Sequence, residues 1–272
     1  MKILISVDAE GLGWTVSGTQ TLNEGKDYEM FRDIYTDQVN SVIEGAIKGG
    51  ATEILVNDAH GSSRNILYKN LHKKAKLIIG DPKPNSMMEG IDLVDKVFLL
   101  GYHSKAGTIK GVLNHTFSSN VYKLWINGKE FGEIGLSAAL AGKFNKAVTF
   151  FVGDLAAVNE AKKMIEDAEF VITKEGISRY SAITYSHFEV NEMLREAAVK
   201  AVKRKGKVFK VEEPVKIKIE FLNSGMVDYC LLVPGVKSVD GYTITLEAKD
   251  MIDAYRMFRL MVRLSGGEHG GY

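Results

Sequence analysis

Ile3-Leu4-Ile5-Ser6-Val7-Asp8-Ala9-Glu10-Gly11 is the stretch on which the fold turns. Its apolar, β-branched run reads as a buried strand that gives out at two carboxylates. Residues two apart in a strand share a face, so Asp8 and Glu10 are expected to point the same way. Two acids on one face repel each other unless a cation stands between them. Gly11 follows at once and is expected to let the backbone turn close to whatever is bound.

Outward from this strand, a Gly/Thr-rich loop at 11–25 contains Trp14 and is a candidate substrate wall. A helix is expected over residues 27–48, with Phe31, Ile34, Tyr35, Val39, Val42, Ile43, Ala46 and Ile47 as its apolar stripe and Gly49-Gly50 as its stop. A short apolar strand over 53–57 then ends at Asp58-Ala59-His60-Gly61. Strand, helix and strand in this length form a βαβ unit with parallel strands. The carboxyl ends of parallel strands lie on one sheet edge, where ligands bind. Asp8, Glu10, Asp58 and His60 are therefore expected to converge.

The pattern repeats at 76–80 and at 96–101, where a buried strand ends in Tyr102-His103. Asn114-His115-Thr116 follows, then a hairpin over 121–131 turning at Asn127-Gly128. Gly132-Glu133 opens a helix, where an acid commonly serves as a cap or dipole partner. Further strands are expected at 147–152, 170–173, 215–221, 228–233 and 242–248, with helices at 155–166, 187–205 and 249–264. The fold class is α/β. A parallel-sheet N-terminal domain with helices on both faces (residues 1–205) precedes a smaller α+β region (206–272), the break falling near Glu212-Glu213-Pro214.

Composition narrows the function. The 272 residues are 45% hydrophobic and 25% charged, enough for a sizeable core. A net charge of +1 gives no field to hold a nucleic acid. The basic cluster Lys203-Arg204-Lys205 with Lys207 ends a helical stretch, where cations are favoured in any case. No apolar run reaches the roughly 18 residues of a membrane span. The N-terminal stretch lacks the features of a signal peptide, and Cys230 stands alone in an apolar run, so a cytoplasmic location is expected.

Asp8, Glu10, His60 and His103 stand at strand ends, and His115 and Glu133 come from the middle of the chain. Carboxylate with imidazole suits a borderline divalent cation: zinc, manganese, cobalt or iron. The absence of thiolates excludes a structural zinc knot. Five such ligands are too many for one catalytic zinc with an open position. They suit two metals that share a bridging carboxylate and a water able to attack a carbonyl carbon or a phosphorus. Each piece alone is weak, since a histidine after a strand is more often a hydrogen-bonded loop residue. The joint pattern points to a divalent-metal hydrolase. His72, His187 and His269, the last in a glycine-rich tail expected to be flexible, read as polar surface residues.

Ser6-Val7-Asp8-Ala9-Glu10-Gly11, Val56-Asn57-Asp58-Ala59-His60, Gly80-Asp81-Pro82-Lys83-Pro84, Leu100-Gly101-Tyr102-His103, Asn114-His115 and Gly132-Glu133-Ile134-Gly135-Leu136 together resemble the D-aminopeptidase family, the M55 type of peptidase. Ile219-Glu220-Phe221 and Ala248-Lys249-Asp250-Met251 extend the resemblance over nearly the whole chain. It implies that Asp8, Glu10, His60, His103 and Glu133 bind two zinc ions per subunit, with Asp8 as the bridge and His115 as the catalytic histidine. It further implies release of N-terminal D-residues, D-Ala especially, from short peptides by a ring-like homo-decamer. Ala9 replaces the family's methionine between the two acids, and Ala59 and Asn114 replace serines before histidines. No proposed ligand is lost. His115 could serve as proton donor, oxyanion stabiliser or nucleophile. The competing functions are another di-metal hydrolase, such as an amidase or phosphoesterase, and a non-enzymatic peptide-binding ring protein. Arg64 is the only arginine close to a motif, which disfavours the phosphoesterase.

Overall fold

The computed structural model describes residues 1–266; the expected flexible tail beyond Gly266, with His269, lies outside them. The chain runs β1 (Lys2–Val7), a one-turn α1 (Gly18–Thr21), α2 (Tyr28–Lys48), β2 (Glu53–Asp58), β3 (Ala75–Ile78) and β4 (Lys96–Tyr102). The hairpin β5 (Val121–Ile126) and β6 (Lys129–Phe131) comes next, then α3 (Glu133–Lys143), β7 (Ala147–Gly153), α4 (Leu155–Ala161) and β8 (Glu169–Ile172). A second hairpin, β9 (Lys174–Ser178) and β10 (Ser181–Thr184), precedes α5 (His187–Lys203). β11 (Val215–Phe221), α6 (Ser224–Cys230), β12 (Lys237–Ser238), β13 (Thr243–Ala248) and α7 (Met251–Ser265) complete it.

Six strands form a parallel sheet in the order β3-β2-β1-β4-β7-β8. The chain winds outward from β1 to one side and from β4 to the other, so the order reverses between these two strands. That reversal opens a crevice at their carboxyl ends. β1 is the central strand, and its alternation divides the core. Ile3, Ile5 and Val7 pack with α2 and α5 on one face. Leu4 joins α3, α7 and the second sheet on the other. α3 is buried along nearly its whole length, as a helix sandwiched between layers must be.

The second sheet is antiparallel, in the order β12-β13-β11-β5-β6. It draws β5 and β6 from the middle of the chain and the rest from beyond residue 205. The hairpin expected at 121–131 is present. Residues 228–233, expected to be extended, belong instead to α6 and the turn after it. Asn223 caps that helix on the Met226 amide, and Met226, Val227 and Cys230 bury one helical face, which outweighs the strand-like composition. The expected helix at 155–166 stops at Ala161. The basic cluster is paired locally: Arg204 meets Asp167 at 3.2 Å and Glu169 at 2.6 Å, and Lys207 meets Glu166 at 3.0 Å. Among the described residues no helix is long and apolar enough to cross a membrane.

Two glycines close the crevice. The Asp8 amide donates to the Leu100 carbonyl at 2.8 Å and the Gly11 amide to the Gly101 carbonyl at 2.7 Å. A β-carbon on Gly11 would lie 2.0 Å from the Tyr102 carbonyl oxygen; one on Gly101, whose φ is +76°, would lie 2.2 Å from that of Asp8. Gly11 is thus needed for the approach of one strand end to another. Gly11→Ala is expected to lower stability by about 2 kcal/mol through overpacking, read as a fall in the urea midpoint; an unchanged midpoint would show that the strand ends are free to part.

Candidate metal centre

Strand geometry carries β1 only as far as Val7, and Asp8 already lies beyond it. Glu10 sits in a turn closed by the Leu12 amide on the Ala9 carbonyl at 3.1 Å. The two acids therefore converge through this turn and not through strand alternation. His60 Nδ1 lies 3.2 Å from Asp8 Oδ1 and 3.3 Å from Glu10 Oε2. His103, after β4, places Nε2 3.5 Å from Asp8 Oδ2 and 3.2 Å from Glu133 Oε1. His115 Nε2 is 3.7 Å from Glu133 Oε1, and its ring stacks on that of His103 at 4.0 Å and 13°. All six residues singled out from the sequence thus meet in one cluster. Asp58 does not join it. Its carboxylate accepts from the Asn65 and Ile66 amides at 2.6 and 2.9 Å and pins the turn after His60.

The ring nitrogens decide what this cluster can hold. His60 Nε2 donates to the Thr21 carbonyl, His103 Nδ1 to that of Ser104 and His115 Nδ1 to that of Leu113, at 3.2, 3.0 and 2.9 Å. A carbonyl can only accept, so each of these nitrogens carries the proton. In the neutral imidazole the opposite nitrogen then aims a lone pair at carboxylates. Lone pairs facing acids make a cation site, and such orienting bonds are the usual support of ligating histidines. Asp8 Oδ2 and Glu10 Oε2 are buried with no hydrogen bond, although the first is within ion-pair reach of His103 and the second of His60. Donor atoms of Asp8, Glu10 and His103 lie within 4.8 Å of one another, as do those of His103, His115 and Glu133. His103 belongs to both sets, so the two groups of donors adjoin and fit a divalent cation.

The electrostatics show how strongly the site attracts positive charge, protons included. Burial, then the neighbouring Glu10, pushes Asp8 up to about 7. Burial opposes the charge on Glu10 too, but His60 outweighs it and holds Glu10 well below the usual range. Burial would lower His60 and His103, yet Glu10 acting on the first and Glu133 on the second raise both. His115 is lowered by burial and by His103.

Other residues act on the backbone. Lys174, fully buried and lowered to about 7 by that burial, donates to the Glu10 and Leu12 carbonyls, and Thr173 Oγ1 donates to that of Gly11 at 2.6 Å. Lys83 bonds the Asp58 carbonyl, Asn57 and Ser63. The Phe117 amide holds Glu133 Oε1 at 2.6 Å, so this acid is turned into the cluster and does not cap α3. The 11–25 loop touches the centre through the Thr21 carbonyl. Sequence inspection missed Lys174, although its position just after β8 obeys the same strand-end rule.

A cavity of about 620 Å³ opens on Asp8, His60, His115 and Glu133, and Arg259 and Arg263 of α7 also line it. Arginine does stand beside the site, then, contrary to the expectation from sequence proximity. It comes from a helix far along the chain, and Arg64 is exposed.

Acids and imidazoles buried together at the reversal point of a parallel sheet define a metal-dependent hydrolase. The family model for M55 peptidases, described as D-aminopeptidase, matches residues 1–260, and the chain belongs to that family. It is 35% identical over 269 residues to a D-aminopeptidase of Bacillus subtilis (strain 168), covering 97% of this chain and 98% of that one. It superposes with a TM-score of 0.96 on the zinc-dependent D-aminopeptidase DppA from Bacillus subtilis, described as a self-compartmentalizing protease, at 34% identity and 99% coverage of both chains.

Protons compete with a metal for these ligands. With Asp8 raised to about 7 and His60 and His103 raised as well, lowering the pH from 8 to 6 adds protons to the cluster. Zinc affinity is therefore expected to fall over that interval, by up to about tenfold per pH unit for each proton displaced. Competition titration with a chelating dye checks this, and a flat profile would contradict it.

Proposed function

We propose that this protein is a di-zinc aminopeptidase that releases the N-terminal residue, D-alanine above all, from short peptides and amides. Asp8, Glu10, His60, His103 and Glu133 would hold the two ions, and His115 would be the catalytic histidine. One observation carries the proposal: three imidazoles, each fixed by a backbone carbonyl, aim their free nitrogens at buried acids. The membership in the D-aminopeptidase family and the zinc dependence of the B. subtilis relative support the choice of metal and bond. The same relative's self-compartmentalization supports a closed homo-oligomer, which we take to be a decamer working in the cytoplasm.

The bound ions would acidify a water and polarise the scissile carbonyl. The chain's residues do the rest. Asp8 and Glu10 are ligands and take no proton in turnover. His115 has the most open side chain of the three histidines, 24% exposed against 12% for His60 and 1% for His103, and it lines the cavity. Its Nδ1 proton is held by Leu113, so Nε2 is free to accept a proton and pass it to the leaving amine. Its lowered pKa keeps Nε2 unprotonated near neutrality, ready for the first of these transfers.

The zinc-loaded enzyme is expected to release D-Ala from D-Ala-D-Ala and to cleave the D-alanyl p-nitroanilide faster than the L-enantiomer. Purified protein that takes up no metal would sink the di-zinc centre; metal without amide cleavage would favour a different hydrolase on this frame. His115→Ala is expected to keep both zinc ions while kcat falls by on the order of 100- to 10,000-fold. Metal analysis beside the kinetics decides the role: loss of an ion would make His115 a ligand.

A further inference from the structure

The cavity over the metal centre has a second charged wall. Arg259 and Arg263, one turn apart on α7, both line it. Arg259 Nη1 donates to the Lys83 carbonyl at 2.7 Å, and its Nη2 meets Asp81 Oδ1 at 3.4 Å. Arg263 Nη2 meets Asp81 Oδ2 at 2.7 Å. One carboxylate thus serves two guanidinium groups, which leaves a positive charge unbalanced. A guanidinium has five donors in a planar fork that matches a carboxylate. Arg263 uses one of them within the described residues, and its side chain is 72% exposed.

This wall faces the same space as the metal ligands, with Phe117 and Val262 lining it as well. An aminopeptidase holds the N-terminal amide at the metals. From the scissile carbonyl the carboxylate lies about 3.5 Å further on in an extended dipeptide and about 7 Å further on in a tripeptide. A cavity of about 620 Å³ is of the size that encloses a small ligand. A longer chain would set a neutral peptide group against the arginines and leave their charge unanswered.

We propose that Arg259 and Arg263 form a recognition site for the C-terminal carboxylate of a di- or tripeptide whose N-terminal amide lies at the metal centre, so that short free-acid peptides are the preferred substrates. The site rests on the aminopeptidase function proposed above. It makes the enzyme read its substrate from both ends.

The test compares D-Ala-D-Ala with D-alanyl-D-alaninamide on the zinc-loaded enzyme. The free acid is expected to exceed the amide in kcat/KM by about tenfold or more, chiefly through KM, since a site built for a polar group rejects the analogue lacking it. In Arg263→Met that ratio is expected to fall toward one, and Arg263→Lys, which keeps the charge and loses the fork, to recover part of it. Arg259→Gln gives an independent second reading, because Arg259 also braces Lys83. A ratio near one in the native enzyme, or a ratio that both Arg263→Met and Arg259→Gln leave intact, overturns the carboxylate site while the aminopeptidase function stands. Failure to cleave either peptide overturns that function, and the site with it.

Discussion

Three carboxylates, Asp8, Glu10 and Glu133, are buried within a few ångströms of one another's imidazole partners. Everything else in the molecule is arranged around the cost of that burial. Desolvation and mutual repulsion oppose the cluster, and only cations and a rigid surround can offset them. The surround is supplied through main-chain atoms. Lys174 and Thr173 hold the carbonyls of residues 10–12, Lys83 holds that of Asp58, and the Phe117 amide holds Glu133. The lysine and threonine bonds fix the turns without competing for the acid side chains, whereas the Phe117 amide takes up one oxygen of Glu133. Two apolar cores, one on each face of the parallel sheet, then prevent those turns from moving apart.

Topology determines who can reach the cluster. β1 and β4 are neighbours, so Asp8 and His103 meet at the reversal point. The segment after β4 is itself tightly tied: Val112 donates to Asp154 at 2.6 Å, Leu113 to the Arg179 carbonyl at 2.9 Å, and Asn114 braces Gly107 and Gly111. His115 is therefore presented on a fixed loop. Glu133 arrives from the opposite direction, at the start of α3, after the chain has made the β5–β6 hairpin of the other sheet.

Much of this was legible in the sequence, for a physical reason. In a parallel sheet the strand ends share an edge, so Asp8, His60 and His103 could be brought together from strand order alone. Glu133 and His115 follow no such rule; their carboxylate and imidazole made them candidates, and only the resemblance to a family pattern gave each a role. Glu10 was found for the wrong reason, since a turn and not strand alternation aims it. The β9–β10 hairpin and the α6 helix escaped because local composition there conflicts with the capping and packing that prevail. Arg259 and Arg263 lie on an amphipathic helix whose sequence says nothing about which cavity its polar face will border. Such information exists only once the two sheets are packed.

That packing has a consequence for how the enzyme can change over generations. The catalytic edge is written in the strand ends of the parallel sheet, whereas the facing wall is carried by α7, whose apolar side is anchored in the other core. A substitution at Arg263 alters the charge of the chamber without touching a strand, an acid of the cluster or a clamping lysine, whereas one at Arg259 also frees the Lys83 carbonyl. If the α7 wall selects the substrate as proposed, the chemistry is insulated from that selection, and one inherited reaction can be retuned by a few changes on one helix face.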